Sequence, residues 1–144
     1  MLSEVLGKFK EDYKDLITVR REKKDRLYFY VEDSRLREVV EHIFHKLGCR
    51  LSTATALERP DGFEVIYHFS HDGSGVYLCP TVFIPNKDNP EMNSITPIVR
   101  GAEWIEREMM EMFGIKFREH PRPEKLLTLN HPEKVDKPLR IGGK

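Results

Sequence analysis

Apolar side chains at the start of the chain recur first at helical and then at strand spacing. A first helix is predicted from the helical spacing of Leu2, Val5, Leu6, Phe9 and Tyr13. Two short strand-like segments follow at 16–20 and 26–31, and the polar residues 21–25 between them predict a turn. Helical spacing then returns, after Asp33 and Ser34 as possible N-terminal caps. Gly48 stands where a left-handed C-terminal cap is expected. The apolar stripe of this second helix is Leu36, Val39, Val40, Ile43, Phe44 and Leu47.

Three further strands are predicted at 49–58, 62–70 and 75–84, separated by glycine-containing turns. In the middle strand Phe63, Val65, Tyr67 and Phe69 alternate with more polar residues. This period of two, with one apolar face, predicts a sheet that helices cover on one side. The order helix, two strands, helix, three strands predicts an α+β fold with two layers and a mixed sheet.

The C-terminal third has a different pattern. A helix is predicted at about 102–113 and should end at Gly114. The last thirty residues contain four prolines, which exclude a long helix and indicate an extended tail. These prolines are Pro121, Pro123, Pro132 and Pro138. The predicted organisation is therefore a globular domain over 1–114 and an extended, partner-binding tail over 115–144.

Composition narrows the class of protein. The 144 residues include 24 Lys and Arg and 24 Asp and Glu, so the formal net charge is zero. A balanced charge argues against a general nucleic-acid binder, which needs a basic excess. Two cysteines, Cys49 and Cys79, cannot provide a disulfide framework or a cluster ligand set. We expect neither a membrane span nor a signal peptide, because no apolar run approaches about 18 residues and the N-terminus is charged. Abundant Glu, Lys and Arg, with no Gln, suggest a thermophilic source.

Histidines are the candidate metal ligands. His42 and His45 are three residues apart on a predicted helix, and His68 and His71 are three apart at a strand end. Neither pair has a third ligand at a suitable spacing, so no metal site is predicted. An alternative function remains at this stage. A small free-standing enzyme would use His68, His71 and Asp72 for acid–base chemistry.

The predicted helix at 102–113 has one apolar and one charged face. The apolar face, which we expect to pack on the domain, carries Trp104, Ile105, Met109, Met112 and Phe113. The charged face carries Glu103, Glu106, Arg107 and Glu111, and Arg107 is four residues from both Glu103 and Glu111. Two interpretations fit this face equally: a solvated helix surface with intrahelical ion pairs, or an interface with Arg107 as its anchor.

The segment around this helix resembles a family of small hydrophilic subunits of respiratory complex I, the C subunits of NADH dehydrogenase. The shared pattern spans almost thirty residues: Ser94-Ile95, Pro97, Trp104, Glu106-Arg107-Glu108, Glu111, Phe113-Gly114-Ile115, Phe117 and His120-Pro121. The family usually has Asp at the position of Glu111 and Gly at that of Glu119. Of its C-terminal pattern only Pro138-Leu139-Arg140 is present. These departures and the short chain resemble the relatives in membrane-bound [NiFe] hydrogenases and other ferredoxin-dependent complexes.

The resemblance implies a protein without a catalytic site or cofactor of its own. It would lie in the soluble arm of a membrane-bound oxidoreductase, peripheral to the cytoplasmic face of the membrane. Its partners would be the large catalytic subunit and the small iron–sulfur subunit. These partners would carry the iron–sulfur clusters and, in a hydrogenase, the NiFe centre. The residues expected at the partner interface are Trp104, Glu106, Arg107, Glu108, Glu111, Phe113, Phe117, His120, Pro121, Pro138, Leu139 and Arg140.

Overall fold

The computed structural model describes residues 4–121. Its helices are α1 (Glu4–Asp12), α2 (Leu36–Glu41) and α3 (Ala102–Phe113). A 3-10 turn, Asp33–Arg35, precedes α2, and a π-helical segment, His42–Lys46, continues it. The strands are β1 (Ile17–Lys23), β2 (Arg26–Val31), β3 (Arg50–Arg59), β4 (Gly62–His71), β5 (Val76–Ile84), β6 (Glu91–Asn93) and β7 (Lys116–Arg118).

Five strands form one mixed sheet in the order β1-β2-β5-β4-β3. The pair β2–β5 is parallel, and the other three pairs are antiparallel. The last of these strands in the sequence, β5, therefore lies in the middle of the sheet. This arrangement confirms the predicted α+β fold with its mixed sheet.

The core lies between the helices and one face of the sheet, which we call the inner face. Strand β2 shows the alternation that produces it, because Leu27, Phe29 and Val31 are buried whereas Tyr28 and Tyr30 point to the other side. The apolar stripe of α2 and its π-helical extension packs on this face, and Gly48 ends the segment with φ 68° as predicted. The opposite face, the outer face, has no helix over it in residues 4–121.

The predicted boundary of the first turn is wrong. Strand β1 continues to Lys23, so the turn is only Lys24–Asp25 rather than 21–25. A bulge between Val19 and Arg21 keeps β1 paired with β2, and an edge strand tolerates its charged side chains because they reach water.

The residues directly after Gly114 pack on the globular unit. Ile115 and Phe117 are buried in the same core as the helices, and β7 pairs in parallel with β6. These two three-residue strands are too short for a sequence pattern to reveal. The globular unit therefore includes residues 115–118, and the rest of the predicted tail, from residue 122, lies outside the described residues.

Candidate functional site

Helix α3 lies beside β3 on the inner face and carries the motif that the sequence singled out. It ends at Gly114, whose φ of 75° is left-handed and whose N–H donates to the Met110 carbonyl. At this end the ring of Phe113 meets the ring of Phe63 on β4 edge to face, at 5.9 Å between centroids. The C-terminal end of α3 is thus packed against the sheet.

The centre of the site is the buried carboxylate of Glu106. Its Oε2 atom accepts hydrogen bonds from the Tyr67 hydroxyl at 2.6 Å and from the Ile95 N–H at 3.0 Å. Its Oε1 atom accepts from the hydroxyls of Ser94 and, at 2.8 Å, Thr96. Four donors satisfy both oxygens, which is how a protein interior accommodates a carboxylate. Burial, and then the negative charge of Glu106, raise the pKa of Tyr67 well above its usual value.

Glu106 therefore holds the segment Ser94-Ile95-Thr96 against α3. The Ser94 hydroxyl also accepts from the Thr96 N–H at 3.0 Å, which tightens the segment into a local turn. Ser94 in addition donates its N–H to the Arg118 carbonyl at 3.0 Å. One carboxylate thus connects four parts of the fold: β4, the loop after β6, α3 and, through Ser94, β7.

Two further charged residues of α3, Arg107 and Glu111, are also inside the protein, so the interpretation of a solvated face is wrong. Arg107 is only 8% exposed, and its Nη1 atom lies 4.0 Å from a carboxylate oxygen of Glu103. Glu111 is buried as well.

The prediction for the opposite face is wrong at Trp104, which is 57% exposed although the helical pattern predicts that it packs on the domain. The loop 94–96 and β7 cover the charged side of α3, and periodicity within one helix cannot predict that cover.

A second polar cluster joins β7 to the start of α2. The Arg118 guanidinium binds the carboxylates of Asp33 and, at 2.8 Å, Glu91, and it donates to the Asn93 side-chain oxygen at 3.0 Å. Arg37 on α2 donates to the carbonyls of Ser94 and Arg118, at 2.7 and 3.1 Å. These residues, together with Tyr67 and Thr96, belong to the site but are not predicted by the sequence patterns. The sequence spacing of the acidic and basic residues in 33–37 and 91–93 does not indicate which of them form ion pairs or hydrogen bonds in the fold.

The described chain ends beside this cluster. Glu119 has a left-handed backbone, with φ 65°, and its carboxylate pairs with Arg37. This is the position at which the resembled family usually has Gly, and Gly adopts that conformation without strain. The buried His120 ring donates from Nε2 to the Glu103 carbonyl at 3.0 Å. Pro121 then lies at a cleft of about 290 Å³, whose other walls are Thr96, Pro97, Arg100, Glu103 and Glu119.

The predicted interface residues therefore divide into three groups. Trp104 and Pro121 are exposed, and Glu108 and Phe113 are partly exposed, the last two lining a groove of about 350 Å³ between α3 and β3. The buried residues are Glu106, Arg107, Glu111, Phe117 and His120, whose side chains belong to the interior of this chain. Pro138, Leu139 and Arg140 lie outside the described residues.

The residues of the alternative enzyme are held in separate contacts. His71 Nδ1 lies 2.7 Å from the Ser74 hydroxyl, and Asp72 binds Ser70 and Arg50. His68 lies 3.6 Å from the Cys79 sulfur, and burial, with a smaller effect of Arg26, lowers its pKa. Burial raises the pKa of the Cys79 thiol to about 12, opposite to what a nucleophile needs. Residues 4–121 contain no group of three or more His, Cys, Asp or Glu side chains placed to hold a metal.

Comparison with known proteins identifies the family. The family model of the respiratory-chain NADH dehydrogenase 30 kDa subunit matches residues 29–142. The chain belongs to this family. The matched region begins within β2 and contains the whole site around Glu106 and most of the C-terminal segment.

Members of the 30 kDa family from several organisms resemble the chain. The C subunit of the F420H2 dehydrogenase of Methanosarcina mazei is 30% identical over 105 residues, 71% of this chain and 66% of that protein. The C subunit of the NADH-quinone oxidoreductase of Sinorhizobium medicae is 35% identical over 86 residues, 57% of this chain and 42% of that protein. The probable 30.4 kDa mitochondrial subunit of the NADH-ubiquinone oxidoreductase of Candida maltosa is 29% identical over 125 residues, 80% of this chain and 45% of that protein. The chain thus spans about two fifths to two thirds of the length of these relatives.

Two solved structures share the fold. A chain of the membrane-bound sulfane sulfur reductase, an archaeal respiratory membrane complex, superposes with a TM-score of 0.78 at 26% identity. That match covers 94% of this chain and 81% of the other. A trypsin-resistant fragment of Nqo5 gives a TM-score of 0.66 at 23% identity, covering 82% and 96%. In the described part of this chain no helix is long and apolar enough to cross a membrane.

Proposed function

We propose that this member of the 30 kDa family is a structural component of the soluble arm of a membrane-bound oxidoreductase and docks on the large catalytic subunit. The proposal rests on the contrast between two residues of α3, the buried Glu106 and the exposed Trp104. The hydrogen-bonding capacity of Glu106 is used within the chain, which fixes the helix, whereas the large side chain of Trp104 is left 57% exposed. Exposed Trp residues on rigid supports are typical anchors of protein interfaces.

The surface around Trp104 supports the same role. The groove beside α3 is lined by Ile105, Met112 and Phe113, which are only partly buried, and by Glu108. A partner side chain placed there would contact apolar surface on a helix that the sheet and the loop 94–96 hold in place. Pre-organisation of this kind reduces the conformational cost of association.

The names of the relatives support a second part of the proposal, which concerns the type of complex. One relative is named for F420H2 and one solved neighbour for sulfane sulfur, so the family occurs outside NADH-linked complexes. We infer a hydrogenase-like or related ferredoxin-dependent assembly, peripheral to the cytoplasmic face of the membrane. Its iron–sulfur clusters, and any NiFe centre, would lie in the large catalytic and small iron–sulfur subunits. This chain would contribute no cofactor and no catalytic group.

The experiment is a co-purification with tagged large subunit. Trp104→Ala should melt like the wild type, because the side chain is exposed, but should be lost from the assembled complex. Lys8→Ala, at a residue whose side chain is 78% exposed on α1, is the control and should be retained. Retention of Trp104→Ala at wild-type level would refute the proposed docking site. Metal analysis of the chain purified alone under anaerobic conditions tests the cofactor assignment, and stoichiometric iron or zinc would contradict it.

A further inference from the structure

The zero net charge of the chain conceals a strongly basic surface on the outer face of the sheet. Strand register determines which side chains share that face, because directly paired residues point to the same side. One row crosses all five strands and contains Lys23, Arg26, Tyr77, Ser70 and Arg50. The paired residues Arg21 and Tyr28 lie in the next row. Glu22 lies between Arg21 and Lys23 in the sequence, and its side chain points to the inner side. There it binds Lys10 of α1 at 3.0 Å.

Only part of this positive charge is neutralised within the chain. Arg20 and Arg59 lie 3.3 and 2.9 Å from the buried carboxylate of Glu64, and Arg50 lies 3.3 Å from Asp72. Within residues 4–121, Arg21 and Lys23 have no carboxylate at ion-pair distance, and Arg26 stacks on the Tyr77 ring at 4.4 Å. Of the four cations at the end of the face near the β1–β2 turn, Arg21, Lys23, Arg26 and Arg50, only Arg50 forms an ion pair within residues 4–121, so this end of the face is basic.

An apolar pair lies on the same face. Leu57 and Phe83 are aligned on either side of Glu64 in one row, and they are 40% and 36% exposed. The Oε1 atom of Glu64 between them has no hydrogen-bond partner, because Arg20 approaches it without the geometry of a hydrogen bond. The apolar pair lies six residues along β4 and β5 from the row of Ser70 and Tyr77, which is about 20 Å. The outer face therefore has a basic end and a small apolar end, and apolar and Arg-rich patches both occur in protein interfaces.

We propose that the outer face of the sheet docks a second protein surface, which is rich in Asp and Glu opposite the basic end and apolar opposite Leu57 and Phe83. Arg guanidinium groups match carboxylates through paired hydrogen bonds, and the apolar pair requires an apolar counterpart. A single-stranded nucleic acid fits less well, because the Tyr77 and Tyr30 rings that would stack on bases already have Arg26 and Arg20 over them. This surface is on the opposite side of the sheet from α3, so the inference does not depend on the docking proposed for Trp104.

Zero-length carbodiimide cross-linking of the intact complex tests the contact directly. The reagent condenses a lysine amine with a carboxylate, with loss of water, only when the two are in contact. Lys23 should be recovered in a peptide linked to an Asp or Glu of another protein of the complex. Lys8, 78% exposed on α1 at the other side of the domain, is the internal control and should not give the same link. Absence of any such link at Lys23 would contradict the proposal.

Charge reversal gives an independent readout. The double variant Arg21→Glu/Lys23→Glu should keep the wild-type melting temperature, because both side chains are exposed on an edge strand, but should be lost from the complex at moderate salt. The double variant Lys8→Glu/Lys14→Glu carries the same change in charge on α1 and should assemble normally. Equal assembly of the two variants would overturn the proposal. If Arg21→Glu/Lys23→Glu instead abolishes binding of the free chain to a single-stranded oligonucleotide or to phosphatidylglycerol vesicles and leaves assembly intact, the protein partner is wrong.

Discussion

The Tyr67 hydroxyl on β4 donates a 2.6 Å hydrogen bond to the Glu106 carboxylate on α3, and both groups are fully buried. Tyr67 lies on an interior strand of the sheet, so this bond fixes the motif helix to a well-supported part of the fold. The motif residue Glu106 thus has a structural purpose that its sequence context does not reveal.

Tyr67→Phe should destabilise the protein. The substitution keeps the ring but leaves the Oε2 atom of Glu106 with only the Ile95 N–H as donor. Loss of one hydrogen bond to a buried charged group costs about 1.5–3 kcal/mol, equivalent to roughly 2–4 °C of melting temperature per kcal/mol in a chain of this size. Tyr13→Phe is the control, because that ring is partly exposed and packs on Phe9 at 5.0 Å. Equal melting temperatures for the two variants would mean that the Tyr67 bond contributes nothing.

Arg107→Glu should be far more damaging than substitution of an exposed arginine. It would place a carboxylate in a buried position one turn from both Glu103 and the buried Glu111. Removing the buried cation and adding a carboxylate beside the buried Glu111 leaves negative charge uncompensated in the interior, which costs about 3–5 kcal/mol. Arg100→Glu, at an exposed position before α3, should change the free energy of unfolding by about 0.5 kcal/mol or less. Chemical denaturation of both variants measures the difference, and similar stabilities would indicate that Arg107 gains nothing from its burial.

Glu119 allows backbone strain to be separated from its ion pair. Both Glu119→Gly and Glu119→Ala remove the contact with Arg37, which is weak because the Glu119 side chain is 70% exposed. Only Gly also removes the left-handed strain at φ 65°. The Gly variant should therefore be more stable than the Ala variant by about 1 kcal/mol. If the Ala variant were equally stable, residue 119 would not adopt a left-handed conformation in solution.

Acid should destabilise the protein partly through His68. Burial, followed by the charge of Arg26, lowers its pKa below the ordinary 6.5, so the folded state binds its proton less readily than the unfolded state. The stabilisation is present above pH 6.5 and is lost as the pH falls through 6.5 and then through the lower folded pKa. His68→Gln should flatten the decline in unfolding free energy over this range. An unchanged pH profile would show that His68 is solvated when folded; His45→Gln, at an exposed residue, is the control.

Local periodicity predicts the fold better than the site. Local signals in the sequence predict three strands and two helix ends. Alternation predicts β2, β4 and β5, whereas the apolar stripes with Gly48 and Gly114 predict where the second and third helical segments end. The short strands β6 and β7 are not predicted, since pairing between residues 91–93 and 116–118 is a long-range property. For the same reason, the sequence pattern of α3 predicts only that its charged face meets solvent or a partner protein. Its cover comes from Ser94-Ile95-Thr96 and β7, and nothing in the helix itself indicates that they fold over it.

The resemblance locates the important segment but not the roles within it. It marks Glu106 and Arg107 together with Trp104, although Glu106 serves the interior and Trp104 faces outward. Ser94 in the motif is a direct hydrogen-bond partner of Glu106, which links two parts of the pattern that are twelve residues apart. The zero net charge hides the basic outer face, since composition sums charges without regard to the side of the sheet on which they lie.

The central position of β5 constrains how the chain can fold. Before residue 84 is available, β1–β2 and β3–β4 are two separate hairpins with no strand to join them, and isolated hairpins are marginally stable in water. A nascent chain on the ribosome would therefore hold two exposed sheet edges until β5 inserts between them. This insertion closes both edges in one step, so the two halves should gain protection from hydrogen exchange together rather than in order of synthesis. A partner or chaperone that acts early would meet the unfilled slot between the hairpins, a surface that no longer exists in the finished domain.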